Sequence, residues 1–331
     1  MTGPSLPDAT PPVFLVHPGP HGVAVYAREV AAEVARQRPD VRVTTPDALA
    51  DLPAGTPLHA HVTDRLWGAS PEEAGRAVVA LAQRHPVTVT LHDVPQASDG
   101  ERNRPRRQAF YRAVTASARA VAVNSAHERE LLREEGVWDG PVAVVPLPVE
   151  TVPPSASAPH DDAVGVLGFF YPGKGHDEAL AATVAAGMSR LTVLGRASDG
   201  HAADLDAFVR RADDAGVTVE VTGWLDESEM IARARRVAVP VIAHRHVSAS
   251  GSLASWIGWG RRPLAVRNRY VDEMVALRPG ALRMVEPDAL AGEVAAARVD
   301  ARRTWHGLDP VPFGRVDAAR AYLRWWAEIF R

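Results

Sequence analysis

The segment of this sequence best suited to chemistry is a glycine-rich turn that carries one lysine. Residues 165–176 read as an apolar strand followed by the turn Pro-Gly-Lys-Gly, and an alanine-rich helical stretch comes next. Such a junction directs backbone amides and the positive end of a helix dipole towards anions, and the ammonium group of Lys174 adds a point charge suited to phosphate. The turn therefore predicts a diphosphate contact, although a tight turn with an exposed lysine would give the same pattern.

The same turn does not fit the phosphate loop of ATP-hydrolysing enzymes. That loop requires a serine or threonine directly after its lysine, because the hydroxyl group binds Mg²⁺. Here Lys174 is followed by Gly175 and His176, and neither residue carries a hydroxyl group. The sequence therefore disfavours ATP hydrolysis.

A serine-rich segment at residues 246–260 provides a second candidate phosphate contact. Its first serines are Ser248, Ser250 and Ser252. They can cap the helix predicted there, and Gly251 allows a ligand to approach the backbone closely. Open α/β sheets bind ligands at the carboxyl ends of their strands, so two anion-suited turns there predict a ligand site. A serine-capped helix without a ligand is the alternative.

Two positions in the first half of the chain are suited to substrate contact. Gly22 belongs to a glycine-rich loop between the first predicted strand and helix, at the mouth of a doubly wound sheet. His92 closes a strand-like run in which alternate residues share a face, so its imidazole emerges at the carboxyl end. There the imidazole could hydrogen-bond a substrate hydroxyl or a developing charge. The alternative for the Gly22 loop is a plain turn without a ligand, and the alternative for His92 is a purely structural histidine.

Two further clusters contain side chains capable of chemistry. His59 and His61 share one face of a predicted strand, but the sequence offers no evident third ligand, so we predict no metal site. Five arginines lie close in sequence to Phe110 and Tyr111: Arg102, Arg104, Arg106, Arg107 and Arg112. This arginine cluster could bind an anionic acceptor or lipid headgroups, and a solvated start of a helix is the commoner alternative.

The elements that must position these residues alternate between strand and helix, which predicts an α/β fold with parallel sheets covered by helices. The first half predicts strands at Val13–His17, Val41–Thr45, Leu58–Val62, Val87–Asp93, Ala120–Asn124 and Val142–Val145. The second half predicts strands at Ala163–Phe169, Leu191–Gly195, Val217–Thr222, Val237–Ile242, Pro263–Val266 and Leu282–Val285.

The chain of 331 residues is long enough for two domains, and a stretch crowded with proline and small residues separates the two sets of strands. We therefore predict a disordered tail at 1–12, a first domain at 13–150, a linker at 151–162, a second domain at 163–312 and a helix at 313–331. The last helix has one apolar face, which must dock either on the second domain or back on the first.

Composition excludes several classes of function. Lysine and arginine together number 37 against 40 aspartates and glutamates, so no basic field indicates a nucleic-acid partner. The absence of cysteine excludes disulfides and thiolate metal sites and fits a cytoplasmic protein. We expect neither a signal peptide nor a transmembrane segment. Peripheral contact with a membrane is compatible with the sequence, which does not indicate an oligomeric state.

Together these segments resemble the retaining glycosyltransferases of the GT-B fold, family 4, over nearly the whole chain. The resembling segments are residues 18–23, 90–94, 123–129, 145–149, 168–175, 193–196, 223–225 and 260–265. The resemblance implies two Rossmann-like domains that face each other across a cleft. It also implies metal-independent transfer of a hexose-type sugar, with retention, from a UDP- or GDP-sugar or a similar donor to a hydroxyl acceptor, without a cofactor.

The resemblance also implies roles for individual residues. His92 would touch the transferred sugar. The donor diphosphate would be bound by Lys174, Ser250, Gly251, Ser252 and Arg196, the base and ribose by Trp224, Leu225 and Ser255, and the acceptor by Gly22, Asp64 and Arg65.

The sequence departs from the family pattern in two places. Val247 and Ser255 stand where the family has a Glu-x7-Glu pair that contacts the donor sugar and the ribose. Phe169 stands where the family has an arginine before the Lys-Gly turn, and Arg196 could substitute for it. Two alternatives therefore stay open: a catalytically silent sugar-nucleotide-binding partner protein and a nucleotide-sugar epimerase on the same fold.

Overall fold

The computed structural model describes residues 10–153 and 161–331 and divides the chain into two compact units. The first unit runs to Pro148 and includes the C-terminal segment Phe313–Arg331, whereas the second comprises Val149–Pro312. Each unit contains one parallel six-stranded sheet.

The ends of two predicted segments lie outside the described residues. Residues 1–9 of the predicted tail and residues 154–160 of the predicted linker are not described. Residues 10–12 have no regular secondary structure. A strand begins at Asp161, inside the range that the sequence assigned to the linker, because this residue already pairs with Val237 of a neighbouring strand.

The first unit has the strand order β2-β1-β3-β4-β5-β6. Its strands are β1 (Val13–Leu15), β2 (Val43–Thr44), β3 (Leu58–Val62), β4 (Val87–Leu91), β5 (Ala120–Val123) and β6 (Val142–Val144). The α-helices in the N-terminal part of this unit are α1 (Gly22–Gln37), α2 (Asp64–Trp67), α3 (Pro71–Arg84), α4 (Gly100–Ser117) and α5 (Ala126–Glu134).

The second unit has the strand order β12-β11-β10-β7-β8-β9. Its strands are β7 (Asp161–Leu167), β8 (Arg190–Leu194), β9 (Thr218–Val221), β10 (Val237–Ile242), β11 (Leu264–Val266) and β12 (Arg283–Val285). Its helices are α6 (His176–Ala185), α7 (Ala202–Asp214), α8 (Glu227–Arg236), α9 (Gly251–Gly258), α10 (Arg269–Leu277) and α11 (Leu290–Val299).

These two sheets confirm the predicted α/β class with two Rossmann-like, doubly wound units. A strand lies in each run that the sequence predicted, and the bounds differ by at most two residues. Strand ends differ because ladder hydrogen bonds, rather than composition, decide where a strand stops. In β4 the ladder ends at Leu91, so His92 and Asp93 lie just beyond the sheet.

The last helix, α12 (Arg315–Ile329), packs on the first unit, which is the second of the two placements left open by the sequence. Its buried face consists of Ala318, Ala319, Tyr322, Leu323, Trp326 and Ala327. Most of these side chains join a core cluster with Phe14 of β1 and with Val30 and Val34 of α1. The C-terminal residues therefore complete the core of the N-terminal sheet.

Candidate functional site

The second sheet places two loops beside each other where its strand order reverses. Strands β7 and β10 are neighbours, although two strands separate them in the sequence. In open α/β sheets such a reversal leaves a crevice at the carboxyl ends of the strands, and ligands bind there. The loop after β7 carries Lys174, and the loop after β10 leads to Ser250 and Ser252.

The structure brings the predicted lysine and serines into direct contact. The ammonium group of Lys174 donates a hydrogen bond to the hydroxyl oxygen of Ser252 at 3.2 Å. The hydroxyl groups of Ser252 and Ser250 are 3.1 Å apart. Ser250 caps α9, because its hydroxyl oxygen accepts a hydrogen bond from the Leu253 amide at 3.1 Å. The lysine therefore lies at the N-terminus of α9, where the helix dipole is positive.

Lys174 is a buried cation beside positive backbone groups. Its side chain is only 8% exposed, and burial lowers the pKa of its ammonium group to about 8. Among the described residues no carboxylate forms an ion pair with it. A buried charge is costly unless it is paired, so this arrangement is suited to binding an anion.

Lys174 is also the only lysine in the sequence, because all other residues among the 37 basic ones are arginine. An ammonium group is compact and changes its pKa readily on burial, whereas a guanidinium group is planar and broad. The one lysine of the chain lies at the start of α9, with its ammonium group against the Ser252 hydroxyl.

Glycines bring the backbones of these loops together. At Gly175, with a φ of +99°, a Cβ atom would lie 2.6 Å from the carbonyl group of Ala243 in the loop after β10. At Gly195, after β8, a Cβ atom would lie 2.4 Å from the carbonyl oxygen of Gly168. Both distances are far below van der Waals contact, so only glycine fits at either position.

Arg196 and Trp224 lie along the same edge of the sheet but do not enter the Lys174 cluster. The guanidinium group of Arg196 lies over the Phe169 ring, 5.1 Å from its centroid. Trp224 follows β9 and is 80% exposed. The Gly223 amide donates to the Gly195 carbonyl oxygen at 3.0 Å, which joins the loops after β9 and β8.

Three further residues that were predicted to contact the sugar donor lie in the loop before α8 and in the first turns of α9. Leu225 is half-buried in the loop before α8. Gly251 is exposed at the first position of α9, and Ser255 is half-buried one turn later. Val247, which stands at the first family glutamate position, is buried in an apolar cluster.

Two histidines that the sequence did not indicate lie beside Lys174. His176 and His244 are buried, and the neighbouring Lys174 charge adds to the effect of burial, which lowers the pKa of both. For His176 the pKa is about 3, and its ring packs 4.6 Å from Phe170. Both imidazoles are therefore neutral near pH 7, and a histidine directly after the Lys-Gly turn is the signal that could have indicated this environment.

In the first unit the strand order reverses between β1 and β3, and Gly22 and His92 lie at that end of the sheet. Gly22 is the first residue of α1, and a Cβ atom there would meet nothing within 4 Å. The His21 ring caps this helix, because its Nδ1 accepts a hydrogen bond from the Val23 amide at 3.2 Å. Gly22 is exposed, and no other part of the described chain packs against the side where a Cβ atom would lie.

His92 is held by a second histidine. Nδ1 of His61, on β3, and Nε2 of His92 are 2.8 Å apart. The His61 ring stacks on Phe14 with a centroid distance of 5.5 Å, and Tyr26 packs edge-on against both histidines. Nε2 of His61 is buried and has no hydrogen-bond partner among the described residues.

His59 belongs to a separate chain of hydrogen bonds that reaches α12. The Thr88 hydroxyl donates to the Leu58 carbonyl oxygen at 3.2 Å and lies 3.0 Å from Nδ1 of His59. On the other side of the ring, the Thr90 hydroxyl lies 3.4 Å from Nε2 of His59 and 3.0 Å from the Tyr322 hydroxyl. In the described residues no group of three potential ligands could hold a metal ion.

We expect these buried histidines to make the first unit sensitive to acid. Burial lowers the pKa of His59 and His92 from 6.5 to about 3, so the unfolded chain binds protons that the folded chain rejects. The contribution of these two histidines to the free energy of unfolding is therefore fully present above pH 6.5 and is lost as the pH falls from 6.5 towards 3. At pH 5 the free energy of unfolding should be lower than at pH 7 by about 4 kcal/mol for the two groups together.

Urea unfolding at pH 5 and pH 7 measures this effect. His59→Asn, which keeps a donor near Thr88 but removes the titration, should reduce the pH dependence. An equal pH dependence in wild type and His59→Asn would contradict the explanation.

The two other predicted acceptor-side residues have different surroundings. Asp64 is buried and forms an ion pair with Arg107 at 3.3 Å, and Arg107 also pairs with Asp99 at 2.7 Å. Arg65 is exposed on α2. Asp64 therefore fixes the loop beside His92, and Arg65 is the freer of the two to meet a substrate.

The arginine cluster of α4 is largely neutralised by carboxylates. The pairs are Arg104 with Glu135 at 2.7 Å, Arg106 with Glu72 at 2.7 Å, and Arg107 with Asp64 and Asp99. Such pairing does not favour binding of an anionic surface. Within the described ranges, no helix has the length and apolar character needed to cross a membrane.

Known proteins support this architecture. Residues 58–148 match the family model of the glycosyl transferase 4-like domain. That stretch extends from β3 to the end of the N-terminal part of the first unit and includes His61 and His92. Among curated protein sequences, none matches the chain.

Several solved structures share the fold over nearly the whole chain. Sucrose-phosphate synthase from Thermosynechococcus elongatus is 15% identical with a TM-score of 0.68, and the match covers 97% of this chain and 95% of that one. HepE from Anabaena, solved with UDP and glucose, is 13% identical with a TM-score of 0.64 and the same coverage of both chains. The lipopolysaccharide outer core galactosyltransferase WaaB is 12% identical with a TM-score of 0.59, over 94% of this chain and 97% of that one.

Proposed function

We propose that this chain, which matches a glycosyl transferase 4-like domain at residues 58–148, is a glycosyltransferase of the GT-B architecture that transfers a hexose-type sugar from a nucleotide-diphosphate sugar to a hydroxyl acceptor. The observation that carries the proposal is the buried Lys174 held 3.2 Å from Ser252 at the strand reversal of the second sheet. A cation that pairs with no carboxylate of the described residues, next to the N-terminus of α9, is suited to a diphosphate.

The proposed chemistry relies on charge placement. The departing diphosphate gains negative charge as the glycosidic bond breaks, and the Lys174 ammonium group and the first amides of α9 would stabilise it. The lysine supplies positive charge at the place where a metal ion would otherwise be needed, so we propose metal-independent transfer. The resemblance favours retention of configuration, with the acceptor attacking from the face that the diphosphate leaves.

Other residues would bind the remaining parts of the substrates. The exposed Trp224 ring and Leu225 would contact the base, with Ser255 near the ribose, and Arg196 would help to bind the diphosphate. His92 would contact the transferred sugar, and Gly22 and Arg65 would meet the acceptor. A nucleotide-sugar donor agrees with HepE, which was solved with UDP and glucose, and with pneumococcal GtfA, solved with UDP and GlcNAc.

The missing glutamates favour one rival. Val247 is buried among apolar side chains and Ser255 is too short to reach as far as a glutamate would, so the donor could bind without being turned over. A catalytically silent sugar-nucleotide-binding partner protein would then remain. An epimerase on the same fold would instead change the donor without an acceptor.

A panel of UDP-, GDP-, ADP- and TDP-sugars in a thermal-shift assay tests the donor site. A ligand at a hundred times its Kd stabilises the folded protein by about 2.7 kcal/mol, so we expect one nucleotide class to raise Tm. Lys174→Met should abolish the shift. Arg190→Met, which removes an exposed charge from the opposite end of β8, should retain it.

The outcomes separate the three functions. Stabilisation with release of nucleoside diphosphate in the presence of acceptors supports the transferase. Stabilisation without turnover supports the silent binding protein, and conversion of the donor sugar without an acceptor supports the epimerase. No shift with any nucleotide sugar at millimolar concentration would contradict the proposed donor site.

A further inference from the structure

The hydrogen bond between His61 and His92 has a direction that the surroundings of the two rings decide. Nδ1 of His61 and Nε2 of His92 are 2.8 Å apart, so one nitrogen carries the proton and the other accepts it. A neutral imidazole has one donor and one acceptor nitrogen, so the direction of this bond fixes the tautomer of both rings. Both rings are neutral near pH 7, because burial lowers the pKa of each far below 6.5.

The far side of His61 selects between the two tautomers. Its Nε2 is buried and has no hydrogen-bond partner among the described residues. If Nε2 carried the proton, an N–H group would be buried without an acceptor, which proteins rarely tolerate. If Nε2 carries only a lone pair, the proton is on Nδ1, and His61 donates to His92.

The choice at His61 then sets the state of His92. Its Nε2 accepts the proton of His61, so its own proton is on Nδ1. The described hydrogen bonds of His92 are those of its backbone and its Nε2, which leaves Nδ1 available to a ligand. His92 stands directly after β4, at the carboxyl edge of the sheet.

We propose that His61 is a positioning residue that locks His92 in the Nδ1–H tautomer, so that His92 offers substrate a hydrogen-bond donor and does not act as a general base. This inference rests on the proposed function, in which His92 contacts the transferred sugar. The Nδ1–H group would donate to a sugar hydroxyl or to an oxygen that gains charge during transfer. His61 itself does not touch the substrate.

The ring packing around His61 supports a positioning role. The imidazole lies between the stacked Phe14 ring and the edge of Tyr26, so it has little freedom to rotate. His61 lies on β3, and His92 directly follows the adjacent strand β4, 31 residues later in the sequence. Strand pairing therefore holds the donor nitrogen at a fixed place beside Nε2 of His92.

Nitrogen-15 NMR of histidine-labelled wild-type protein at pH 7.5 tests the tautomers without any substrate. We expect long-range proton correlations that identify Nδ1 as the protonated nitrogen in both His61 and His92. The resonances are assigned with His61→Phe and His92→Gln. A protonated Nε2 on His92 would overturn the inference whatever the activity of the protein.

Kinetics of two variants tests the positioning role. His61→Phe keeps an aromatic ring against Phe14 but removes the donor, and we expect about a tenfold loss of kcat, the equivalent of one hydrogen bond, with little change in KM. His61→Asn places an amide N–H close to the position of Nδ1 and should restore most of kcat. Thermal midpoints identify a variant that fails to fold, and the NMR result on the wild type does not depend on either variant.

The failures of the two proposals are distinguishable. Unchanged kcat in His61→Phe, with the expected tautomers, would overturn the positioning role while leaving the transferase intact. The expected tautomers in a wild type that binds no nucleotide sugar and transfers no sugar would overturn the proposed function, and the assignment of a substrate contact to His92 would fall with it.

Discussion

Lys174→Met is expected to lower kcat/KM for sugar transfer by about a thousandfold, which corresponds to about 4 kcal/mol of transition-state stabilisation. The reason is that the ammonium group is the buried cation at the strand reversal and lies against the Ser252 hydroxyl at 3.2 Å. Steady-state kinetics with the donor identified by thermal shift measures the loss. Ser252→Ala should lower kcat/KM by a smaller factor, because it removes only a neutral hydrogen-bond partner of the lysine.

The same substitution is expected to stabilise the protein in the absence of ligand. Burial lowers the pKa of Lys174 from 10.5 to about 8, so the folded state disfavours the charged form that dominates in the unfolded chain at pH 7. Methionine has a similar length and carries no charge, so we expect the free energy of unfolding to rise by about 2 kcal/mol. This value is smaller than the full pKa difference would give, because the side chains around the substituted residue must repack. A variant that loses both activity and stability would contradict this explanation.

The pH dependence provides an independent test of the same lysine. In the free enzyme the ammonium group is charged below its pKa, so kcat/KM should fall about tenfold per pH unit as the pH rises above about 8. Because the sequence contains no other lysine, reductive methylation with ¹³C gives one lysine resonance besides the N-terminus, and its titration reports this pKa directly. Nucleotide binding should raise the titration midpoint, and a midpoint near 10.5 in the free enzyme would contradict the buried environment.

Removal of the last helix is expected to unfold the first unit. In α12 the side chains of Tyr322, Leu323 and Trp326 are buried against β1 and α1, and Tyr322 also bonds to Thr90. Truncation of even one such side chain costs about 3–5 kcal/mol, while a whole domain is stable by about 5–15 kcal/mol. A chain that ends at Pro312 should therefore expose the apolar face of the first sheet and aggregate.

Point variants separate packing from chain length. Trp326→Ala should lower the free energy of unfolding of the first unit by about 3–5 kcal/mol in urea, whereas Arg324→Ala on the exposed side of the helix should change it by less than about 0.5 kcal/mol. The second unit does not use this helix, so nucleotide-induced stabilisation of that unit should persist. Folding of the truncated chain with an unchanged urea midpoint would show that the helix is dispensable.

The features of this protein fall into two groups, according to whether the local sequence or the packing of the folded core decides them. The Lys-Gly turn, the serine cap of α9 and the strands themselves were predicted, because each depends on neighbouring residues: strands on runs of valine, the turn on glycine and the cap on a serine beside a helix. The shared location of the lysine turn and the serine cap followed, since the carboxyl ends of parallel strands share one edge of the sheet.

Contacts that depend on which side chains meet in the folded core were not predictable in this way. His61 and His92 meet only because β3 and β4 pair, and Thr90 meets Tyr322 across 232 residues because α12 returns to the first unit. The ion pair of Asp64 with Arg107 likewise follows from how α4 packs beside the end of β3. The sequence by itself determined the elements and the lysine turn, whereas the tertiary structure decided which histidine supports His92 and where the last helix docks, because burial and partnership depend on side chains that only the folded core brings together.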